Sequence, residues 1–308
     1  MIDGYGLNFA TAGIQPPTTM RTSLTGIMIL LVSVCGYGQS FHIGVFGGAS
    51  AYAGELTDRI LPRKLTHGAF GLTANYEPAD HFMLRAGITM ASVEGADRYS
   101  HDTFSLHRNL SFHSKITEFS LTGEFYLMNL YDQRYSPYLF AGLAVYHFNP
   151  YTYDSTGTKV YLRPLSTEGE GIAGYPDRHS YRLTQLAIPF GAGIKFAVND
   201  NIRIGIEAGI RKLFTDYLDD VSTNYISQQD LLAAKGQTAV DLSYRGDEVA
   251  GGDPNYPAKG AQRGGSKTKD YYYFGGIHMS FRIGGEKGAG AYHSKGHRSK
   301  LGCPANVR

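Results

Sequence analysis

Cysteine, charge and long apolar runs are all scarce in this sequence of 308 residues. Only Cys35 and Cys303 occur, which excludes a disulfide framework and any cysteine pair at metal-site spacing. Charged residues make up 18%, below the roughly 25% of an average globular protein, so much of the surface is expected to contact something other than water. The net charge of +2 gives no reason to expect a nucleic-acid partner. Beyond the amino terminus, no stretch reaches the roughly 18–20 apolar residues of a membrane-spanning helix.

The amino terminus has the pattern of a secretory signal peptide. Met20 and Arg21 start a basic segment, residues 24–35 are apolar, and Gly36-Tyr37-Gly38 places small residues where a signal peptidase reads them. Cleavage is predicted after Gly38, so residues 1–38 form the signal peptide, with residues 1–19 upstream of the true start at Met20.

A lipoprotein acylated at Cys35 is the competing interpretation. Val34 argues against it, because a small residue is normally needed before the acylated cysteine. If cleavage follows Gly38, the mature chain keeps Cys303 alone.

Residues 39–284 are rich in glycine and aromatic residues, and their apolar residues recur at every second position. This period is typical of β-strands with one apolar face. Six segments show it clearly, and two more are less clean, so eight strands are predicted. The six clear segments are Phe70–Tyr76, Phe82–Met90, Phe119–Leu127, Leu186–Phe196, Ile202–Ile210 and Tyr271–Ile283, and the weaker two are Phe41–Tyr52 and Tyr138–Phe148.

The links between these strands alternate in length. Links after the second, fourth and sixth strands are short, and links after the first, third, fifth and seventh are long. Long loops at one rim and short turns at the other are typical of outer-membrane barrels, whose short turns face the periplasm. The short links are 77–81, 129–137 and 197–201, and the long links are 53–67, 93–113, 149–182 and 215–269.

The two faces of the strands decide between a soluble lipocalin-like barrel and a membrane barrel. A soluble barrel would bury the apolar face and leave the charged face in water, whereas a membrane barrel turns the apolar face to lipid. With an export signal present, the sequence predicts the second arrangement. The all-β fold is a closed antiparallel eight-stranded transmembrane β-barrel, integral to the outer membrane, with both termini periplasmic. Its expected contacts are outer-membrane lipid and lipopolysaccharide, and aromatic girdles are predicted at Tyr52, Tyr76, Phe82, Tyr138, Phe148 and Tyr271.

The opposite face carries charges that must point into a narrow lumen. Unpaired charges in a partly dry space cost several kcal/mol each, so these side chains are expected to pair and fill the barrel. A small ion path or proton relay is the alternative, and a porin is not expected. The predicted network consists of Arg85, Glu118, Glu124, Lys195, Arg203, Glu207, Arg211 and Arg282.

Several loop residues could in principle do chemistry. His101-Asp102-Thr103, Ser105, His107 and His179-Ser180 offer acid, base and nucleophile types, but no local motif joins them, so solvated loop residues are the favoured interpretation. Asp216, Asp219 and Asp220 could bind Ca²⁺, but they lack a dedicated calcium-loop pattern and a solvated rim turn is favoured. The sequence therefore predicts no catalytic residue, no cofactor and no metal.

The last long loop and the carboxyl terminus differ in character. Ile226–Lys235 is predicted to form a short helix capped by Ser227 and ended by Gly236. Residues 251–269 are rich in Gly, Pro and Lys and are expected to be mobile. Residues 285–308 form a basic, glycine-rich periplasmic tail, and a docking role for a periplasmic partner is favoured over a disordered extension. Its candidate docking residues are Lys295, Arg298, Lys300 and Cys303.

Four segments of the chain resemble a known family. They are Ile43–Gly48 with Tyr52–Leu56, Thr215–Ser222, Asp270–Gly276 and the closing Cys303-Pro304. The chain resembles the outer-membrane barrel family of type IX-secreting bacteria that includes the secretion component PorG. That resemblance implies a non-enzymatic barrel that contacts a periplasmic secretion-ring protein.

The predicted function is therefore a structural or anchoring component of a type IX secretion or gliding apparatus. A lipid-modifying outer-membrane barrel enzyme is one alternative, and a surface adhesin-like barrel acting through its long loops is another.

Overall fold

The computed structural model describes residues 40–57, 63–265 and 269–283. The predicted signal peptide and the predicted tail at 285–308 lie outside these residues. Eight long strands close into an antiparallel barrel in chain order, with the first strand paired to the last. The predicted fold class is confirmed. The barrel strands are β1 Ser40–Ala53, β2 His67–Ala79, β3 Phe82–Ala96, β4 Ser111–Tyr126, β5 Tyr135–His147, β8 Thr184–Ala197, β9 Ile202–Leu213 and β10 Tyr271–Ile283.

The long links carry the remaining elements. Two short strands, β6 Tyr151–Tyr153 and β7 Lys159–Tyr161, form a hairpin that extends β4 through the pairing of His113 with Tyr151. The helices are α1 Thr103–Arg108, α2 Gln228–Lys235 and α3 Gln237–Ser243. No helix in the described part of the chain is long and apolar enough to cross a membrane.

The alternation in loop length is confirmed. Short turns join β2 to β3, β4 to β5 and β8 to β9. The second long link is shorter than predicted, because β3 continues to Ala96 and β4 starts at Ser111. Phe41 pairs with Ile283, so the start of β1 and the end of β10 lie side by side at the short-turn rim.

The outward face forms an apolar belt around the barrel. Leu143, Met90 and Ile206 are 67%, 62% and 61% exposed, and their neighbours on the same face are also apolar. Exposure on this scale is typical of a surface that contacts lipid, and outer-membrane-type barrels carry such a belt around a polar interior. Strands β1 and β10 approach each other closely at Gly48 and Gly276, where an added Cβ would clash with the backbone of the opposite strand.

The aromatic residues at the strand ends do not all form girdles. Phe82 is exposed, as a girdle residue should be, but Tyr52, Tyr138 and Phe148 are fully buried inside the barrel. The girdle prediction was wrong for these three, because the lumen is lined by aromatic rings as well as by charges. Tyr52 and Phe148 belong to a cluster that packs the long-loop end of the lumen.

Two of the long links fold together over the long-loop rim. We call residues 162–183 and 215–265 the cap. The cap has its own apolar core, in which Ile226, Leu231 and Val240 pack around Tyr175. The predicted helix is confirmed as α2: the Ser227 side chain accepts a hydrogen bond from the Asp230 amide, and Gly236 ends the helix at a φ of 84°.

Candidate functional site: the charged lumen and the acidic rim

Three groups of paired charges occupy the lumen at successive heights. The middle group joins Arg85, Glu124, Lys195 and Glu207. Arg85 Nη1 donates to Glu207 at 2.7 Å, and Lys195 donates to Glu124 at 2.6 Å. Arg85 Nε also lies 2.9 Å from the second Glu124 oxygen, an ion pair without hydrogen-bond alignment.

Tyrosine hydroxyls complete this middle group. Tyr138 donates to Glu207, and Tyr126 donates to Glu124. Lys195 lies between the two rings, 4.8 Å from the Tyr138 centroid and 5.2 Å from that of Tyr126, so cation–π attraction adds to the ion pair. Both tyrosines are buried. The phenols matter because a buried carboxylate must have its remaining lone pairs satisfied.

The other two groups lie toward the rims. Near the long-loop rim, Arg211 lies 3.3 Å from Glu118, which also accepts a hydrogen bond from Tyr272 at 2.6 Å. Near the short-turn rim, Arg203 donates to Glu77 at 3.0 Å, and Tyr131 donates to the same carboxylate at 2.8 Å. Both carboxylates are buried.

The structure brings most of the predicted lumen residues into these groups. Seven of the eight are buried. The eighth, Arg282, is only half-buried and reaches the network through Tyr131, whose hydroxyl accepts a hydrogen bond from its Nη2 at 2.9 Å. Sequence reasoning missed Glu77, which had been assigned to the turn after the second strand. Its signal was position: Glu77 continues the inward set of β2 after Asn75.

The space left inside the lumen is small. A cavity bounded by Arg85, Glu207 and Arg211 measures about 20 Å³. That is room for about one water molecule. At this height the paired charges and the rings around them fill the described part of the lumen, so the arrangement can hold charge inside the barrel.

At the long-loop rim of the described chain, several carboxylates lie close to one another rather than to arginine or lysine side chains. Carboxylate oxygens of Glu55, Asp216 and Asp270 all lie within 4.8 Å of one another. Asp219 joins them through Tyr52, whose hydroxyl donates to Asp219 at 2.5 Å and approaches Asp270 at 3.2 Å. We call these four carboxylates the acidic rim.

Burial sets the electrostatics of the acidic rim. It raises the pKa of Glu55 to about 7, with the charge of Asp216 adding to the shift, and raises the pKa of Asp216 to about 6. Burial also raises the pKa of Asp219 and of Asp270, and the negative charge of a neighbouring carboxylate raises each pKa further. An all-oxygen set of this kind could hold a hard cation such as Ca²⁺.

The expectation of a solvated rim turn at Asp216, Asp219 and Asp220 was wrong. All three are at most 2% exposed. They are enclosed because the two segments of the cap pack together: Asp220 accepts hydrogen bonds from Thr167 and Tyr181 of the other segment, and Asp216 accepts one from Ser222.

The loop residues considered for catalysis lie in structural contacts or at the surface. Asp102 caps α1 and accepts hydrogen bonds from the amide and hydroxyl of Ser105. His101, His107, His179 and Ser180 are exposed.

The chain matches one family model, described as "Domain of unknown function (DUF6089)", over residues 21–235. No curated protein matches it. Among solved structures, Neisserial surface protein A is similar at 9% identity and a TM-score of 0.39, over 80% of this chain and 99% of that one. A major outer membrane protein from Thermus thermophilus is similar at 11% identity and a TM-score of 0.39, over 80% and 100%. The outer membrane protein OprG from Pseudomonas aeruginosa is similar at 10% identity and a TM-score of 0.34, over 79% and 94%.

Proposed function

This chain belongs to the DUF6089 family, and we propose that it is a non-enzymatic outer-membrane barrel that serves as a structural or anchoring component of a type IX secretion or gliding apparatus. The observation that carries the proposal is a lumen occupied by paired, buried charges. Arg85, Lys195 and Arg211 lie 2.7, 2.6 and 3.3 Å from buried carboxylates. The cavity bounded by Arg85, Glu207 and Arg211 is about 20 Å³. A barrel whose lumen is occupied in this way offers surfaces and termini to partners rather than a route for solutes.

The link to type IX secretion is supported by the sequence resemblance and by where its segments meet. Tyr52 comes from the first of these segments, Asp219 from the second and Asp270 from the third, and the Tyr52 hydroxyl contacts both carboxylates. Three of the segments that carry the resemblance therefore contribute residues to one feature, the acidic rim.

We further propose that residues 285–308 dock on a periplasmic secretion-ring protein. The last barrel strand ends at Ile283 beside Phe41, so backbone pairing in the barrel needs nothing beyond it. The basic residues of the tail, among them Lys295, Arg298 and Lys300, then remain tethered at the short-turn rim. Tethering raises the effective concentration of a weak site, so a few basic contacts can suffice.

Deletion of the gene in its host tests the role. Loss of secreted cargo with unchanged lipid A and unchanged adherence is expected. Altered lipid A would instead favour the lipid-modifying enzyme, and lost adherence with normal secretion would favour a surface adhesin. The adhesin is the second candidate because the cap is a folded unit with its own core, as a surface recognition element would require.

Truncation after Gly285 tests the docking. The truncated barrel should insert and migrate normally but no longer co-purify with the ring protein, and Cys303→Ser should remove a reducible high-mass band only if the link is a disulfide. Co-purification of the truncated barrel at the same salt concentration would contradict docking through the tail.

A further inference from the structure

Two histidines and one glutamate from three adjacent strands lie together on the outside of the long-loop end, with both imidazole rings close to the same carboxylate oxygen. His67 begins β2, Glu94 lies near the end of β3, and His113 lies near the start of β4. His67 Nε2 lies 2.8 Å from Glu94 Oε2, and His113 Nδ1 lies 3.4 Å from the same oxygen. The three ligand atoms are all within 4.8 Å of one another.

The register between β3 and β4 explains why two of these side chains, Glu94 and His113, lie side by side. Glu94 and His113 are directly paired between β3 and β4, and directly opposed residues on one face have adjacent side chains. His113 alternates with Phe112 and Ser114, which are buried, so it lies on the outer face of β4. The position is beyond the apolar belt, where the hairpin of β6 and β7 joins the sheet.

Neighbouring groups hold the trio in place. The His113 ring stacks on Tyr151 with centroids 5.5 Å apart, and the Tyr153 ring meets it edge-on at 5.6 Å. Arg98 Nη2 lies 3.5 Å from the other oxygen of Glu94 and orients the carboxylate. The side chain of Glu94 is 9% exposed, while those of His67 and His113 are 33% and 26% exposed. The carboxylate is therefore held in the protein, while both imidazole rings can be reached from solvent.

We propose that His67, Glu94 and His113 form a binding site for a divalent transition-metal ion of the zinc class. Two imidazole nitrogens and one carboxylate oxygen are a donor set typical of zinc sites that keep a position open. Zinc bonds of about 2.0–2.2 Å at tetrahedral angles place ligand atoms about 3.3 Å apart, and the two distances to Glu94 Oε2 lie on either side of that value. Oxygen-seeking Ca²⁺ and Mg²⁺ fit this set poorly, because two of its three donors are nitrogen.

Ordinary hydrogen bonds are the competing explanation, since a neutral histidine N–H can donate to Glu94. Metal binding requires each ring to carry its proton on the nitrogen that does not face Glu94. Arg98 is the one arginine or lysine that pairs with Glu94 among the ion pairs of the described residues, and it would repel a metal ion. Its side chain is 54% exposed, so it can swing into solvent. The site would tie β2, β3 and β4 together where the strands extend past the membrane.

Metal titration of the full chain tests the site. The protein is purified in detergent without a histidine tag and stripped with a chelator, in a Cys303→Ser, His293→Ala, His297→Ala background that removes potential ligands from the carboxyl-terminal segment. Calorimetry with Zn²⁺ should show one site per chain, and excess Ca²⁺ should not displace the ion.

Matched variants assign the ligands. Glu94→Gln, which keeps the shape of the side chain, and His67→Ala should each weaken Zn²⁺ binding at least tenfold. His147→Ala, an exposed histidine at the same end of β5, should leave it unchanged. Heat-modifiable gel migration verifies that each barrel is folded, and His113→Gln replaces His67→Ala if that variant fails to fold. No stoichiometric Zn²⁺ binding, or equal affinity in Glu94→Gln and the parent, would overturn the proposal.

Discussion

Arg263 Nη1 donates a hydrogen bond to the carboxylate of Glu168 at 2.9 Å, although the two residues are 95 positions apart and belong to different long links of the barrel. Both side chains are fully buried. The same guanidinium donates to the backbone carbonyls of Asp220 and Ser243. Glu168 in turn accepts hydrogen bonds from the amides of Ser222 and Thr223. One ion pair therefore joins the separate segments of the cap.

Replacing Arg263 by Met should loosen the cap without disturbing the barrel. The change leaves the buried Glu168 without its cation, and breaking a buried pair in this way costs about 3–5 kcal/mol. Limited proteolysis of the protein in detergent should cut residues 215–265 much faster than in the parent, while heat-modifiable migration stays normal. Lys259→Met, which removes an exposed cation 4.8 Å from the Tyr175 ring centroid, is the matched control. An exposed cation–π contact contributes only about 0.5–1 kcal/mol, so this variant should be cut at nearly the rate of the parent. Equal proteolysis of the Arg263 variant and the control would contradict this account.

Replacing Glu207 by Leu should destabilise the barrel itself. Glu207 accepts hydrogen bonds from both Arg85 and Tyr138. Without it, Glu124 is the one carboxylate left to pair with both Arg85 and Lys195 among the ion pairs of the described residues, and breaking a buried pair costs up to about 3–5 kcal/mol. The folded band in heat-modifiable gels should disappear at a lower temperature than in the parent. The double variant Arg85→Leu with Glu207→Leu should recover part of the loss, because it also removes the excess buried positive charge and leaves Glu124 paired with Lys195. If the single variant migrates like the parent at every temperature, the pair is not buried as described.

The cap should be more stable at mildly acidic pH than at alkaline pH. Burial raises the pKa of Glu170 to about 8, with the charges of Asp220 and Glu168 adding to it, and burial raises the pKa of Asp220 to about 6. A carboxyl with a raised pKa in the folded state binds more protons folded than unfolded. Its contribution to stability is therefore complete below the unfolded value and is lost as pH rises through the folded value, at most about 1.4 kcal/mol per pH unit for each group.

Hydrogen exchange checks this pH dependence. With a chelator present, protection of the amides in residues 166–171 and 216–224, corrected for the intrinsic exchange rate, should be higher at pH 5 than at pH 8.5. Glu170→Gln cannot ionise and should flatten the dependence, whereas exposed Glu248→Gln should not. Protection that is equal or higher at pH 8.5 in the parent would show that these carboxyls are not buried.

Sequence alone predicts the barrel well because two independent patterns agree. The period of two identifies the strands and their two faces, and the length of the loops distinguishes the long-loop rim from the short-turn rim. The sequence predicts less about the lumen, because side chains on the inward face of the strands can be either charged or aromatic. Tyr138 shows the difficulty: its place near a strand end predicts a girdle residue, while its inward position places it against Glu207.

Apart from α2, the cap is not predicted from the sequence, for a different reason. Arg263 stands in a segment rich in Gly, Pro and Lys, whose composition is typical of a mobile loop, yet its side chain is 1% exposed. Its partners Glu168 and Asp220 are far away in sequence, and no local period marks either of them. Buried ion pairs between loops depend on tertiary contacts, so a single sequence carries no signal for them, and the buried acidic rim was missed in the same way.

The last prediction concerns orientation. Ser155 lies at the exposed tip of the hairpin of β6 and β7, and Asn255 is exposed in the cap, both at the long-loop end, whereas Gln133 is exposed in the short turn between β4 and β5. Short turns of outer-membrane barrels face the periplasm, so the long-loop end should face the medium. In a Cys303→Ser background, Ser155→Cys and Asn255→Cys should react with a membrane-impermeant maleimide on intact cells. Gln133→Cys should react only after the outer membrane is permeabilised, which also shows that the thiol is accessible. Labelling of Gln133→Cys on intact cells, with Ser155→Cys silent, would reverse the orientation and place the acidic rim and the cap in the periplasm.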